Sequence, residues 1–233
     1  MGKLTSVLAK LLPEKHKGIV EYHAFPNRGE KLAGPFNGQC FRQLMFIDLV
    51  RACRFAGVAE TGTFRGATTR FMAINAGCPV HTVEIIPRNF GFAQRRLRDI
   101  QGVSLRLGDS RSFLRTVSLP DGPCFFYLDA HWFTDLPLKD EVDIIASRFR
   151  DFVVMIDDFA VPGDGDYSFD NYGPGKRLSL EDFPFQNDQR LKVYFPNRAG
   201  RDESGARRGS VVLGSTSLAP TLDRIASLKP YQA

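Results

Sequence analysis

Acidic residues recur in this chain where short apolar runs end. Glu60 stands in "ETGTFRG", Glu84 in "VHTVEI", Asp109 in "VSLRLGDS", Asp129 in "CFFYLDAHW", and Asp157 with Asp158 in "DFVVMIDDF". Asp129, Asp157 and Asp158, brought to one place, would repel, and one or more would have to take up a proton. A hard divalent cation removes that repulsion, and oxygen ligands suit Mg²⁺, Ca²⁺ or Mn²⁺. Successive strand residues point to opposite faces, so Asp157 and Asp158 share an ion only if the chain turns directly after Asp157. The "FAVPGDG" that follows allows such a turn. The alternative is that Asp158 caps a loop while Asp129 pairs with an arginine. His131 lies two residues beyond Asp129. An imidazole with an ordinary pKa near 6.5 is a competent base close to neutrality.

The other three acids suggest different work. Gly62 and Gly66 make a tight turn that a ligand can approach closely. The spacing around Thr63 breaks the G-x-G-x-x-G pattern, and the P-loop lysine followed by Ser or Thr is missing. An acid ahead of such a turn suits a ligand carrying an ammonium and a nucleoside better than a diphosphate, although a plain tight turn has the same sequence. Glu84 comes 22 residues after Gly62, a distance at which a strand-end acid can accept from both ribose hydroxyls. Asp109, followed by Ser110, could accept from an adenine amine or cap a helix.

The elements needed to hold these residues alternate regularly. Apolar runs at 57–61, 80–85, 103–109, 124–130 and 151–158 are separated by helical patterns. That rhythm predicts a parallel sheet with helices on both faces and all strand ends along one edge. Residues 159–185, rich in Gly, Pro, Asp and aromatics, read as a long loop with the character of a lid. "LKVYFPN" and "GSVVLGST" then predict two antiparallel closing strands. Residues 38–53 have helical spacing and are expected over one end of the sheet. Residues 1–37 read as an N-terminal helix and linker, and 38–233 as one ligand-binding domain.

Composition narrows the classes. The chain has 233 residues, 43% apolar and 24% charged, with net charge +5, as in ordinary soluble proteins. No run reaches the roughly 18 apolar residues of a membrane span. "MGKLTS" fits the loose myristoylation pattern through Gly2 and Ser6. Cys40, Cys53, Cys78 and Cys124 lack metal-site spacing and read as buried thiols of a reducing cytoplasm. Arg95, Arg96 and Arg98 allow contact with nucleic acid but do not call for it.

"ETGTFRG", "VEI", "GDS", "LDAHW" and "IDDF", in that order and on those elements, resemble a class I S-adenosylmethionine-dependent methyltransferase over roughly residues 38–216. The acid pattern is similar to the metal-dependent small-molecule O-methyltransferases, including the macrocin and cephalosporin-hydroxylase-like group. The resemblance implies a Rossmann-like, doubly wound, mostly parallel seven-stranded α/β sheet with an antiparallel closing pair. Implied cofactor residues are Glu60, Gly62, Thr63, Gly66, Glu84, Asp109 and Ser110, with Gln39 of "FNGQCFR" over the cofactor. Asp129, Asp157 and Asp158 would hold a divalent cation, Mg²⁺ foremost, and His131 would take the acceptor's proton. Catechol-type relatives carry a lysine where Trp132 stands here, which puts a catechol substrate in doubt. The expected acceptor is a small hydroxylated metabolite, a sugar or glycosylated natural product, with Tyr167, Phe169, Tyr172, Lys176 and Arg177 closing over it. A homo-oligomer is compatible with the same loop. A nucleic-acid methyltransferase and a non-catalytic cofactor-binding protein are the rival readings.

Overall fold

The computed structural model describes residues 12–27, 34–131 and 135–232. Gly2, Ser6 and Trp132 lie outside them. Helix α1 (Glu14–Ala24) precedes a short turn at Pro35–Gly38 and helix α2 (Cys40–Cys53). Then follow β1 (Gly57–Thr61), α3 (Ala67–Ala76), β2 (Val80–Glu84), α4 (Pro87–Leu97), β3 (Val103–Leu107) and α5 (Ser110–Thr116). The second half runs β4 (Cys124–Leu128), α6 (Leu138–Arg148), β5 (Phe152–Asp157), β6 (Leu191–Pro196), β7 (Ser210–Ser215), α7 (Ala219–Leu222) and β8 (Leu228–Pro230).

One sheet has the order β3-β2-β1-β4-β5-β7-β6-β8. Strands β1 to β5 are parallel, whereas β7 is antiparallel to both β5 and β6. The sheet therefore has eight strands rather than the expected seven. The extra member is Leu228–Pro230, antiparallel to β6, and three residues ending in proline are too short to show strand periodicity. Every residue of β1, β4 and β5 is buried, which explains why they read as continuous apolar runs.

Alternation along the strands feeds two apolar layers. Phe126, Leu128, Val154 and Ile156 meet α5 and α6 through Phe113, Leu114, Val142 and Ile145. Phe125, Tyr127, Val153 and Met155 meet Met45, Phe46 and Leu49 of α2 on the other face. Helix α2 thus covers the middle of a face, not an end of the sheet, and each such buried aromatic contributes roughly 1.5–3 kcal/mol. A remote carboxylate caps this helix: Glu203 accepts from the N–H groups of Phe41 (3.1 Å) and Arg42 (3.2 Å). Cys53 and Cys124 are buried as expected, but Cys40, at the first position of α2, is exposed.

Helix α1 packs backbone to backbone on α4. A Cβ on Gly18 would overlap the carbonyl oxygen of Arg88, and one on Gly91 would overlap that of Lys15. Glu21 of α1 then pairs with Arg65 of the glycine turn (2.7 Å) and with Arg88 (2.9 Å). Of the arginines that allowed contact with nucleic acid, Arg96 is buried and donates to the carbonyl of Pro26, and Arg98 pairs with Asp99.

Candidate active site

The five parallel strands release their acids at one rim. Strand β1 ends in Glu60 and Thr61, and alternation turns them to opposite faces. Glu60 is fully buried and accepts from Thr69 on α3 and from Thr82 (2.6 Å), while its Oε1 has no partner among the described residues. Burial raises its carboxyl to about 7, against the two threonine hydroxyls. Gly62 has φ +84°, and a Cβ there would overlap the carbonyl oxygen of Asp129. The glycine turn thus lies directly against the end of β4. Thr63 is buried and shares a hydrogen bond with Thr82 (2.5 Å); Gly66, φ +75°, begins α3.

Glu84 ends β2 as expected. Its carboxylate accepts from the N–H groups of Phe64 (2.6 Å) and Ile86 (2.8 Å), so it already braces the glycine turn. Asp109 caps α5 by accepting from the N–H of Ser112 (2.9 Å), with Ser110 buried beside it. Gln39 is elsewhere. Its amide donates to the carbonyl of Arg208 (2.9 Å) and accepts from the Arg208 N–H (2.7 Å), so both ends are spent on backbone.

Beyond β4 and β5 the expected trio separates. Ligand atoms of Asp129, His131 and Asp158 lie within 4.8 Å of one another. Asp157 is not part of that group. Its oxygens accept from the Arg42 guanidinium, Asn37 (2.8 Å), Tyr127 Oη (2.5 Å) and the N–H of Asp158 (2.8 Å), deep under α2. The chain does turn after Asp157, because Asp158 adopts φ +56°. The turn sends Asp158 back to the rim while Asp157 keeps its strand orientation.

His131 is buried, and among the described residues neither ring nitrogen has a hydrogen-bond partner; Nε2 lies 4.0 Å from Asp129 Oδ1. Burial pushes the imidazole down to about 4, so it is neutral at physiological pH. Burial and repulsion from Asp157, Asp158 and Glu60 hold the Asp129 carboxyl well above its ordinary range. Asp158 is raised to about 7 by burial and by Asp157, against Arg208. Arg208 Nε donates to Asp158 (2.6 Å), and its other end binds Asp170. Tyr172 Oη bonds both Asp170 and the carbonyl oxygen of His131.

Sequence reasoning missed Arg42, Arg208 and Asp170. Arginines are numerous in this chain, and no local pattern ties residue 42 or 208 to an acid far away. In the 159–185 loop Tyr172 reaches the site, but Tyr167 is buried and donates to the Arg198 carbonyl (3.2 Å). Arg177 is spent on Asp182 (2.9 Å) and Glu181 (2.7 Å) inside the loop, and Lys176 is exposed. Leu178, Leu180 and Phe183 anchor the loop in the core. A cavity of about 420 Å³ lies beside Arg42, lined in part by Phe41, Met45 and Glu203 and by none of the strand-end acids.

The fold described above is shared with several solved proteins. The chain has the Rossmann-like methyltransferase fold. It superimposes on a putative O-methyltransferase from Klebsiella pneumoniae at 14% identity and TM-score 0.59, over 91% of this chain and 94% of the other. The O-methyltransferase from Bacillus cereus in complex with SAH gives 16% and 0.57, over 91% and 96%. TomG from Streptomyces achromogenes, involved in tomaymycin synthesis and solved with SAM, gives 16% and 0.56, over 91% and 94%. No family model matches the chain, and no curated protein matches it by sequence.

Proposed function

We propose that this protein is an S-adenosylmethionine-dependent O-methyltransferase acting on a small hydroxylated metabolite, assisted by a divalent cation at Asp129, His131 and Asp158. The observation that carries the reading is the division of the rim, with nucleoside-type acids around Gly62 on one side and the Asp129–His131–Asp158 group on the other. On the cofactor side, the unpartnered Glu60 Oε1 suits an ammonium, and Glu84 stands where ribose hydroxyls would be accepted. On the acceptor side, Asp129, Asp157, Asp158 and Asp170 face Arg42 and Arg208 around a neutral imidazole. Burial and mutual repulsion hold the Asp129 and Asp158 carboxyls up, and a dication beside them would let both ionise. His131 fits better as a ligand than as the base expected from sequence, because its buried imidazole holds a proton weakly and neither nitrogen is hydrogen-bonded among the described residues. An imidazole with two carboxylates accepts Mn²⁺ and other transition ions as readily as Mg²⁺.

When bound, the ion polarises the acceptor hydroxyl and lowers its pKa. The chain's own residues do the rest. Arg42 and Arg208 hold Asp157 and Asp158 in place, and Tyr172 fixes the backbone at His131. The acceptor oxygen attacks the methyl carbon, a C–O bond forms as the S–CH₃ bond breaks, and S-adenosylhomocysteine leaves. The proton departs to water past Asp129, the most exposed member of the group at 25%. Alignment of the two reactants supplies most of the acceleration.

Isothermal titration with S-adenosylhomocysteine tests the cofactor, and Mn²⁺ binding followed by electron paramagnetic resonance tests the ion. S-adenosylhomocysteine should bind with or without EDTA, while turnover should stop on chelation. Mn²⁺ binding should disappear in Asp158→Asn and His131→Ala and survive in Asp157→Asn. Undiminished Mn²⁺ affinity in His131→Ala would remove it from the ligand set.

One observation supports a second, metal-free reading: the Arg208 guanidinium already neutralises Asp158 and Asp170. His131 would then take the proton itself. Turnover indifferent to thorough chelation and abolished in His131→Ala would favour it.

A further inference from the structure

Within the 159–185 loop, Asp170 is pinned by its own backbone. Its N–H donates to the carbonyl oxygen of Asp158 (2.9 Å), and its carbonyl accepts from the N–H of Leu178 (2.9 Å), a residue wholly buried in the core. The side chain so placed uses its two oxygens separately. Oδ1 accepts from Arg208 Nη2, and Oδ2 accepts from Tyr172 Oη. Each of those partners touches a member of the Asp129–His131–Asp158 group. Arg208 Nε donates to Asp158 Oδ1 (2.6 Å), and Tyr172 Oη also donates to the carbonyl oxygen of His131. One loop carboxylate thus reaches two of the three residues in that group, each through a single intermediate.

How the guanidinium is divided decides what this does. Arginine tends to close on a carboxylate with two parallel N–H bonds. Here it does not, because Asp170 holds Nη2 while Gln39 fixes the Arg208 backbone, accepting from its N–H (2.7 Å) and donating to its carbonyl (2.9 Å). Asp158 keeps one arm on Oδ1 and, among the described residues, no hydrogen bond to Oδ2. Without Asp170, both arms would turn to Asp158 and cover the oxygen that an ion needs. We infer that Asp170 is the positioning residue of the ion site, keeping Asp158 half open through Arg208 and setting the His131 backbone through Tyr172. The inference rests on the ion proposed above. Coupling between sites is reciprocal, so an ion at Asp158 and His131 steadies in return the loop segment that carries Asp170 and Tyr172.

The test is Mn²⁺ binding to the full chain, read by electron paramagnetic resonance, for wild type, Asp170→Ala, Asp170→Asn, Tyr172→Phe and Arg208→Met. Urea unfolding and hydrogen exchange over residues 168–177 run alongside. Asp170→Ala should weaken Mn²⁺ binding about 10- to 100-fold, the usual effect of losing a partner of a metal ligand, and should alter the resonance of the ion that still binds. Asp170→Asn, which keeps one acceptor, should lose less. In the Arg208→Met background Asp170→Ala should cost far less, since no guanidinium is left to close on Asp158. Tyr172→Phe should weaken binding whether or not Arg208 is present. Mn²⁺ should slow exchange across 168–177 in wild type and not in Asp170→Ala. If Asp170→Ala does not fold, the asparagine variant and its combination with Arg208→Met decide. Equal losses with and without Arg208 would mean that Asp170 acts by its charge alone, and would overturn the positioning role. Wild-type affinity and resonance in the folded Asp170 variants would overturn it too, while leaving the ion reading intact. A wild-type chain that binds no Mn²⁺ would remove the ion reading, and this inference with it.

Discussion

Replacing Asp157 by Asn should weaken the fold while sparing ion binding. Arg42 and Asp157 are 2% and 1% exposed and face each other beneath α2. The carboxylate accepts four donors, from Arg42, Asn37, Tyr127 and the backbone of Asp158. Removing its charge leaves the Arg42 guanidinium buried with, among the described residues, only the carbonyl oxygens of Arg208 and Gly209 as further partners. Breaking a buried pair from one side costs about 3–5 kcal/mol, because the surviving charge is stranded. At about 2–4 °C per kcal/mol for a chain of this size, the melting midpoint should fall by roughly 6–20 °C. Urea unfolding gives the free energy, and Mn²⁺ resonance on the same samples reports the ion. Arg42→Met combined with Asp157→Leu should recover most of the loss, giving a large coupling term in the double-mutant cycle. A loss below about 1 kcal/mol together with vanished Mn²⁺ binding would refute this reasoning and return Asp157 to the ligand set.

Gly62→Ala should abolish S-adenosylhomocysteine binding, since the new methyl group meets the Asp129 carbonyl and φ +84° is strained for alanine; titration checks it. Gly18→Ala should lift α1 from α4, which faster proteolysis within 14–24 and weaker cofactor binding through loss of the Glu21–Arg65 pair would report. Glu60 and Glu141 have folded carboxyls near 7, above the ordinary value of about 4.3, so between these values the folded state binds more protons than the unfolded. Ligand-free stability should therefore fall as pH rises from about 4.5 to about 7, by up to roughly 1.4 kcal/mol per pH unit from each group, and level off above. Urea midpoints across that range measure it, and Glu141→Leu should flatten the slope; a slope unchanged in that variant would speak against the buried acid.

The strand-end acids were legible because a parallel sheet forces the ends of β1 to β5 to one side, so a run ending in Glu60, Glu84 or Asp129 already states where its side chain must be. Alternation also gave the warning that Asp157 and Asp158 cannot share a partner without a turn. The turn occurs at Asp158, yet Asp157 stays on its own face, because Arg42 from α2 meets it there. That pairing is contact between residues 115 positions apart, and no local spacing encodes it. The partner of Gln39 was hidden for a similar reason: it is the backbone of Arg208, 169 positions away. Glu141 hid in plain view inside a helical apolar pattern, where an acid reads as the edge of a solvent face. Only the depth of α6 against β1 reveals that it is inside.

The contact between Gly62 and the end of β4 has a consequence for how such a protein could change its substrate. Two stretches of main chain abut there, so on the proposed reading the gap between methyl donor and hydroxyl acceptor would be set by polypeptide backbone, which no exchange of side chains can widen. Adaptation to a larger acceptor must then come from segments outside that junction, and the stretch bearing Tyr172 is the natural place for it.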